Sequence, residues 1–302
     1  MLRRDFRELL EARWAAGLAV CVGLDTEFER IPEAVRGRYP YPADVVVHFN
    51  YDIVEATHDL VCAFKPQIAF YEDLGPDGLA ALRKTVVRIN DVAPDVPVIL
   101  DAKRGDIGST NLGYVRMAFE YLEVDAITVN PYLGAEALKP FLEREDKGII
   151  VLCRTSNPGA GEFQDLAVTP SWEDERKWQL PSGPRGEQRP TPMPLYKYVA
   201  YRVSREWNKL GNCAVVVGAT YPEELREVRK IVGDMPILIP GIGAQGGDLE
   251  NTVRAGRDNR GRGMIINSAR GIIFASDGPY FAQAARRETL QLRNAVNDLL
   301  AV

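Results

Sequence analysis

The sequence predicts an α/β fold of the (β/α)8, or TIM, barrel class, in one domain spanning residues 1–302. Three observations carry that expectation. Eight short apolar runs, rich in Val and Ile and nearly continuous in hydrophobicity, recur along the chain, as in parallel strands buried on both faces. Helix-like stretches separate them throughout, and steady alternation of strand and helix marks a parallel α/β fold. The repeat is close to one strand–helix unit of roughly 30 residues. The strand-end landmarks Asp25, Lys65, Asp101, Asn130, Thr155, Gly218, Gly241 and Ser268 lie 40, 36, 29, 25, 63, 23 and 27 residues apart. Eight repeats favour a closed barrel over an open doubly wound sheet.

The elements follow in order. Met1-Leu-Arg-Arg-Asp-Phe-Arg-Glu-Leu-Leu has basic residues but no apolar core behind them, so it reads as an amphipathic helix and not a signal peptide. The run Leu18–Asp25 is the first strand. Ala43–Asp59 carries Val46, Phe49 and Ile53 at helical spacing, and Leu60–Gln67 is the second strand. Pro76–Asp91 opens with Pro in its first turn, a position that needs no N–H. The strands Pro97–Lys103, Ala126–Pro131 and Gly148–Thr155 alternate with the helices Ile107–Leu122 and Ala135–Glu145. The step of 63 residues is too long for one unit, and its excess falls in 157–194. That stretch holds seven prolines, Trp172, Trp178 and a hydrophilic run from Ser182. Too polar for a strand and too rich in Pro for one long helix, it is expected to be an inserted loop after strand 5, either a lid or a surface excursion. The helix Pro194–Leu210 then leads to strand Cys213–Thr220, helix Pro222–Val232, strand Pro236–Gly243, helix Asp248–Ala255, strand Met264–Gly271 and helix Pro279–Leu300.

Composition narrows the class. With 46% hydrophobic and 26% charged residues the chain is that of an ordinary globular protein, which excludes collagen, general disorder and a disulfide scaffold. The 37 basic and 42 acidic residues give a net charge of −5 without any long Lys/Arg block, so no nucleic-acid partner is expected. No apolar run reaches the roughly 18 residues of a transmembrane helix, so no membrane partner is expected either. Cys21, Cys62, Cys153 and Cys213 each lie inside an apolar run and form no C-x-x-C, as buried reduced thiols of a cytoplasmic protein would. His48 and His58 are the only histidines, which limits any His-based relay or metal site.

Barrels of this class build their sites at the C-terminal ends of the strands. Strand 1 ends in Asp25, strand 2 in Lys65, strand 3 in Asp101-Ala-Lys103-Arg-Gly-Asp106 and strand 8 in Arg270. Asp101 and Lys103 stand two apart on a strand and so share a face, with Ala102 turned away. If that face is the interior, carboxylate and ammonium stabilise one another's charged forms. Asp25 and Lys65 extend the pattern to an alternating Asp–Lys array, although a purely structural ion pair is the alternative. Asp106 opens the next helix, where a carboxylate also serves as an ordinary N-cap. Gly241-Ile-Gly243-Ala-Gln-Gly246 matches G-x-G-x-x-G, but a dinucleotide site expects an acid about 20 residues on, and Ser268 and Arg270 stand there instead. A backbone phosphate cradle at strand 7, with Gln245 as an amide donor and Arg270 as a permanent cation, fits better.

These residues resemble one family. Asp101-Ala-Lys103-Arg-Gly-Asp106-Ile107-Gly-Ser-Thr110 is similar to the signature of orotidine 5′-phosphate decarboxylase. Asp25, Phe64-Lys65-Pro-Gln-Ile-Ala-Phe-Tyr-Glu72, Thr155-Ser156-Asn-Pro-Gly159, Pro240-Gly-Ile-Gly-Ala-Gln-Gly-Gly-Asp248 and Arg270-Gly271 extend the likeness in order from strand 1 to strand 8. The length and the Thr-Ser-Asn-Pro-Gly piece resemble the longer bacterial, type 2, subgroup. The resemblance implies a cytoplasmic homodimer without cofactor or metal that converts orotidine 5′-phosphate to uridine 5′-phosphate. It implies that Lys103 protonates C6 of the pyrimidine, that Asp101 sits beside the departing carboxylate, and that Lys65 and Asp25 contact the ribose. It further implies that Asp106, with Ile107 and Thr110 nearby, reaches the partner's site, that Ser156 bonds the pyrimidine, that Gln245 and Arg270 hold the phosphate, and that Pro240 is among the substrate-binding residues. Two rival readings of the same Asp and Lys residues are a magnesium-using phosphosugar barrel and a Schiff-base aldolase with Lys65 or Lys103 as nucleophile. A phosphate-binding barrel without catalysis is a third.

Overall fold

The computed structural model describes residues 4–180, 191–242 and 248–301. Eight parallel strands form one sheet: β1 (Val20–Leu24), β2 (Ala63–Pro66), β3 (Ile99–Arg104), β4 (Ala126–Val129), β5 (Gly148–Arg154), β8 (Cys213–Val217), β9 (Ile237–Pro240) and β10 (Met264–Ser268). A separate antiparallel pair, β6 (Ala167–Val168) and β7 (Met193–Pro194), lies between β5 and β8 in the chain. The large sheet runs in the order β2-β1-β10-β9-β8-β5-β4-β3. Its two ends meet through the parallel bridges Phe64–Val98 and Gln67–Asp101, with the Phe64 N–H donating to the Pro97 carbonyl at 3.1 Å. A barrel therefore forms, and each of the eight predicted runs coincides with one of its strands, β3 ending one residue past its run at Arg104. Strands buried on both sides need apolar residues at every position, which is why these runs show no alternation.

The helices lie where the apolar spacing places them. Pro42–Thr57 starts with Pro at its first turn and buries Val46, Phe49 and Ile53. Phe49 then stacks against Phe281 of the last helix, Phe281–Leu300, with ring centroids 5.0 Å apart. The first helix, Phe6–Ala15, is capped by Asp5, whose carboxylate accepts from the Glu8 N–H. It covers the N-terminal end of the barrel: Phe6 fills the space above Gly148 at the start of β5, and the Trp14 indole donates to the Met264 carbonyl at 2.7 Å. The opposite end, where the strands finish, is left open. At the closed end Arg229, 8% exposed, donates to four carbonyls, those of Gly233, Met235, Gly256 and Gly263, at 2.7–2.8 Å.

The stretch 157–194 is more structured than the expected loop. Its described residues include the short helix Gly161–Gln164, the β6–β7 pair and the helix Trp172–Trp178. Ser171 caps that helix by accepting from the Asp174 N–H, and acidic residues fill its first turn. Trp178 is buried, stacks on Tyr201 at 5.5 Å and donates its indole N–H to Glu206 at 3.0 Å. Prolines delimit these pieces instead of dissolving them. The run Ser182–Arg189 lies outside the described residues.

Candidate active site

The open end of the barrel holds a cavity of about 440 Å³, walled by Asp25, Lys65, Asp101, Lys103, Ser156, Pro240 and Arg270 among others. Its centre is a carboxylate between two ammonium groups. Lys65 Nζ donates to Asp101 Oδ2 at 2.9 Å, and Lys103 Nζ donates to Asp101 Oδ1 at 2.6 Å. Lys65 also stands 3.6 Å from Asp25 Oδ1. Strand geometry explains the gathering. Gly23 pairs in register with Lys65, and Gln67 bridges to Asp101, so β1, β2 and β3 carry these residues side by side.

Burial and charge oppose each other here. Burial alone would raise the Asp101 pKa, but the ammonium groups of Lys65 and then Lys103, with their hydrogen bonds, outweigh it and hold the carboxyl well below the usual range. Burial alone would lower the Lys65 pKa, but Asp101 and then Asp25 outweigh it and hold the ammonium above its ordinary value. Beneath them Cys21, paired in register with Ala63 and Asn267, has its thiol pushed up to about 12, by burial first, and stays neutral.

Asp101 and Lys103 meet as the strand pattern suggests, but the backbone between them is not a regular strand. The register between β3 and β4 shifts between Leu100 and Arg104, and Lys103 has φ of 48°, a left-handed conformation unusual for a residue with a β-carbon. Thr128 on β4, 1% exposed, holds this kink. Its hydroxyl oxygen accepts from the N–H of Ala102 at 3.0 Å and of Lys103 at 2.9 Å, while its O–H donates to Asp101 Oδ1 at 2.9 Å. Thr128 was not among the sequence candidates, because one Thr inside an apolar strand carries no pattern of its own.

Ser156 lies in the cavity wall after β5, held by two contacts. A β-carbon on Gly218 would come within 2.6 Å of the Ser156 β-carbon, so only Gly allows this approach. The preceding Thr155 N–H donates to Gln164 Oε1 at 2.9 Å, and Gln164 comes from the inserted stretch. Arg154, over the Tyr221 ring at 4.0 Å, pairs with Asp165 beside it. The base of the insertion therefore shapes the site.

Arg270 lines the cavity, is exposed, and has no ion pair among the described residues. Pro240 and Gly241 stand beside it, whereas Gln245 and the rest of the Gly243–Gly247 stretch lie outside the described residues. Asp106, Ile107 and Thr110 are not in the cavity wall. Asp106 does not cap the helix Gly108–Val115 as the N-cap reading has it: its Oδ1 accepts from the adjacent Ile107 N–H, and the helix start has no side-chain cap. Asn111 fixes the turn instead, accepting from the Asp106 N–H at 3.1 Å and donating to the Asp106 carbonyl at 2.6 Å. Ile107 is 60% exposed, and Thr110 borders a second cavity of about 580 Å³ on the outer face. Neither histidine lines the first cavity, and His48 stacks on Tyr39 at 4.0 Å. Among the described residues no three His, Cys, Asp or Glu side chains are grouped to hold a metal ion, and no helix is long and apolar enough to cross a membrane.

Known proteins share this chain and this barrel. An "Orotidine 5′-phosphate decarboxylase" of Janthinobacterium sp. (strain Marseille) is 45% identical over 298 residues, covering 98% of this chain and 99% of that protein. One of Azoarcus sp. (strain BH72) is 47% identical over 294 residues, covering 97% and 98%. The solved structure of Leishmania donovani OMP decarboxylase has a TM-score of 0.76 at 35% identity, covering 97% of this chain and 99% of that one. The family profile for orotidine 5′-phosphate decarboxylase / HUMPS matches residues 19–178. On the identity and coverage of these relatives, and on that match, the chain belongs to the orotidine 5′-phosphate decarboxylase / HUMPS family.

Proposed function

We propose that the chain converts orotidine 5′-phosphate to uridine 5′-phosphate in de novo pyrimidine biosynthesis, without cofactor or metal. The observation that carries this reading is the Lys65–Asp101–Lys103 array, with Lys103 Nζ 2.6 Å from Asp101 Oδ1 at the mouth of the barrel. The bond from C6 to the carboxylate breaks, its electron pair stays on C6, and carbon dioxide leaves. A proton from Lys103 Nζ forms the new C6–H bond, and solvent restores the ammonium. A carbanion of this type has no electron sink in the ring, so a fixed ammonium beside it stabilises the transition state more than the ground state. Asp101 fixes that ammonium and stands beside the departing carboxylate.

The other assignments rest on the same reading. Lys65 and Asp25 contact the ribose hydroxyls, Ser156 bonds the pyrimidine, Gln245 and Arg270 hold the phosphate, and Pro240 binds substrate beside them. The absence of any ion pair from Arg270 to a described residue supports its role as the phosphate cation. Asp106, Ile107 and Thr110 serve the site of a second subunit in a homodimer. Their place outside this chain's own cavity, and the exposure of Ile107, Leu112, Tyr132 and Leu133 nearby in the chain, support that arrangement. Residues 1–302 form one barrel domain with 157–194 as its insertion, and the four buried, unpaired cysteines suit a reducing cytoplasm.

The test is the ultraviolet absorbance of the orotate ring on mixing the protein with orotidine 5′-phosphate in excess chelator. Loss of that absorbance is expected. No change, or activity only with added magnesium, overturns the reading, and borohydride trapping of a substrate adduct would instead indicate a Schiff base.

A further inference from the structure

Gln164 belongs to the short helix Gly161–Gln164 at the base of the insertion, yet it lines the cavity together with Thr155, Ser156 and Asn157. Its side-chain amide is used at both ends. The Oε1 accepts from the Thr155 N–H at 2.9 Å and from Arg154 Nη1 at 3.3 Å. The Nε2 donates to the Thr155 hydroxyl at 2.9 Å, and that hydroxyl donates to Asn157 Oδ1 at 2.7 Å. A backbone N–H and a guanidinium can only donate, so the atom facing them is the oxygen and the amide stands one way round.

The strand explains why a side chain is needed there. The register between β5 and β8 shifts between Leu152 and Arg154, and beyond the shift the Gly218 N–H donates to the Arg154 carbonyl at 2.8 Å. One residue further on, the Thr155 N–H has left the sheet, and its acceptor among the described residues is the Gln164 amide. Ser156 comes next. Its hydroxyl makes no hydrogen bond to a described residue, so the backbone alone places it. Gly218 bounds it on one side, and the bonded Thr155 precedes it.

The amide itself is anchored. Arg154, 3% exposed, holds Gln164 and also pairs with the adjacent Asp165 at 3.1 Å. Just beyond, the Leu195 N–H donates to the Leu166 carbonyl at 2.8 Å and ties the first part of the insertion to its last part. Gln164 is thus a fixed point that reaches back from the insertion to the end of β5.

We propose that Gln164 is a positioning residue for the pyrimidine contact: through Thr155 it sets where Ser156 stands, without itself touching the nucleotide. The assignment rests on the reading of Ser156 given above. It gives the base of the insertion a role in selecting the ring of the substrate.

The test is calorimetric binding of uridine 5′-phosphate to the wild type, Gln164→Met, Gln164→Glu, Ser156→Ala and the double variant Gln164→Met/Ser156→Ala. Gln164→Met and Ser156→Ala are each expected to weaken binding about tenfold, the scale of one hydrogen bond. The double variant is expected to lose no more than either alone, because both changes act on one contact. Gln164→Glu is expected to stay within about threefold of the wild type, since a carboxylate still accepts from the Thr155 N–H and from Arg154. If Gln164→Met does not fold, Gln164→Asn, whose amide falls one methylene short, takes its place in the cycle. A Gln164 change that costs the same factor with Ser156 present or replaced, as a merely structural residue or a direct ligand contact would, overturns the assignment. So does unchanged affinity in Gln164→Met, or a Glu variant as weak as the Met variant. Unchanged affinity in Ser156→Ala overturns the pyrimidine contact on which the assignment rests, and failure of the wild type to bind overturns the nucleotide reading itself.

Discussion

Removing the Thr128 hydroxyl probes how Lys103 is held. Thr128→Val keeps the shape but leaves the N–H groups of Ala102 and Lys103 without their acceptor and Asp101 without one donor. Each unpaired donor costs about 1–3 kcal/mol, so the loss of two is on the order of 2–6 kcal/mol. At about 2.1 cal/mol/K per residue over 302 residues, that is a fall in Tm of roughly 3–9 °C. The left-handed backbone at Lys103 (φ 48°) loses its lock as well. Displacing a reacting group by about 1 Å can cost about 100-fold in rate, so kcat is expected to fall about 10- to 100-fold with KM little changed. Thr128→Ser restores the hydroxyl and should recover most of both. Steady-state decarboxylation and thermal melting read the result. A Val variant with kcat within twofold of the wild type and an unchanged Tm would refute the reasoning.

Three further expectations concern separate parts of the molecule. Arg270→Ala should weaken uridine 5′-phosphate binding at least tenfold while leaving uridine binding nearly unchanged if, as proposed, the guanidinium holds the phosphate; equal losses would contradict that role. Arg229→Met strips four buried carbonyls of their donor and should cost about 3–5 kcal/mol in denaturant unfolding while kcat of the folded protein stays within about twofold; unchanged stability would contradict it. The depressed Asp101 adds stability above its unfolded pKa of about 4, lost as pH falls through its folded value, and the raised Lys65 adds stability below about 10, lost as pH rises through its own. The Tm gap between wild type and Asp101→Asn should therefore be level from about pH 5 to 9 and narrow in acid; a gap that widens below pH 4 would show the sign is wrong.

The barrel could be read from sequence because strands buried on both faces must be apolar throughout, and eight such runs leave little other topology. The Asp–Lys array was legible for a related reason: charged residues at the ends of apolar strands are costly unless they meet. Thr128 was not legible, since it is a single polar residue within an apolar run and its meaning lies in neighbours on another strand. The kink at Lys103 was equally hidden, because nothing local distinguishes a left-handed Lys from an extended one. In the insertion the proline count obscured a helix that Ser171 and the acids after it announce. At Asp106 the pattern suggested a cap, whereas Asn111, four residues into the helix, fixes the turn.

The central claim is that Lys103 delivers the proton while the rest of the cavity binds the nucleotide. Lys103→Ala tests it most directly, with orotidine 5′-phosphate turnover measured by ultraviolet absorbance beside calorimetric binding of uridine 5′-phosphate. The account expects turnover to vanish while binding stays measurable. Turnover near that of the wild type would contradict it.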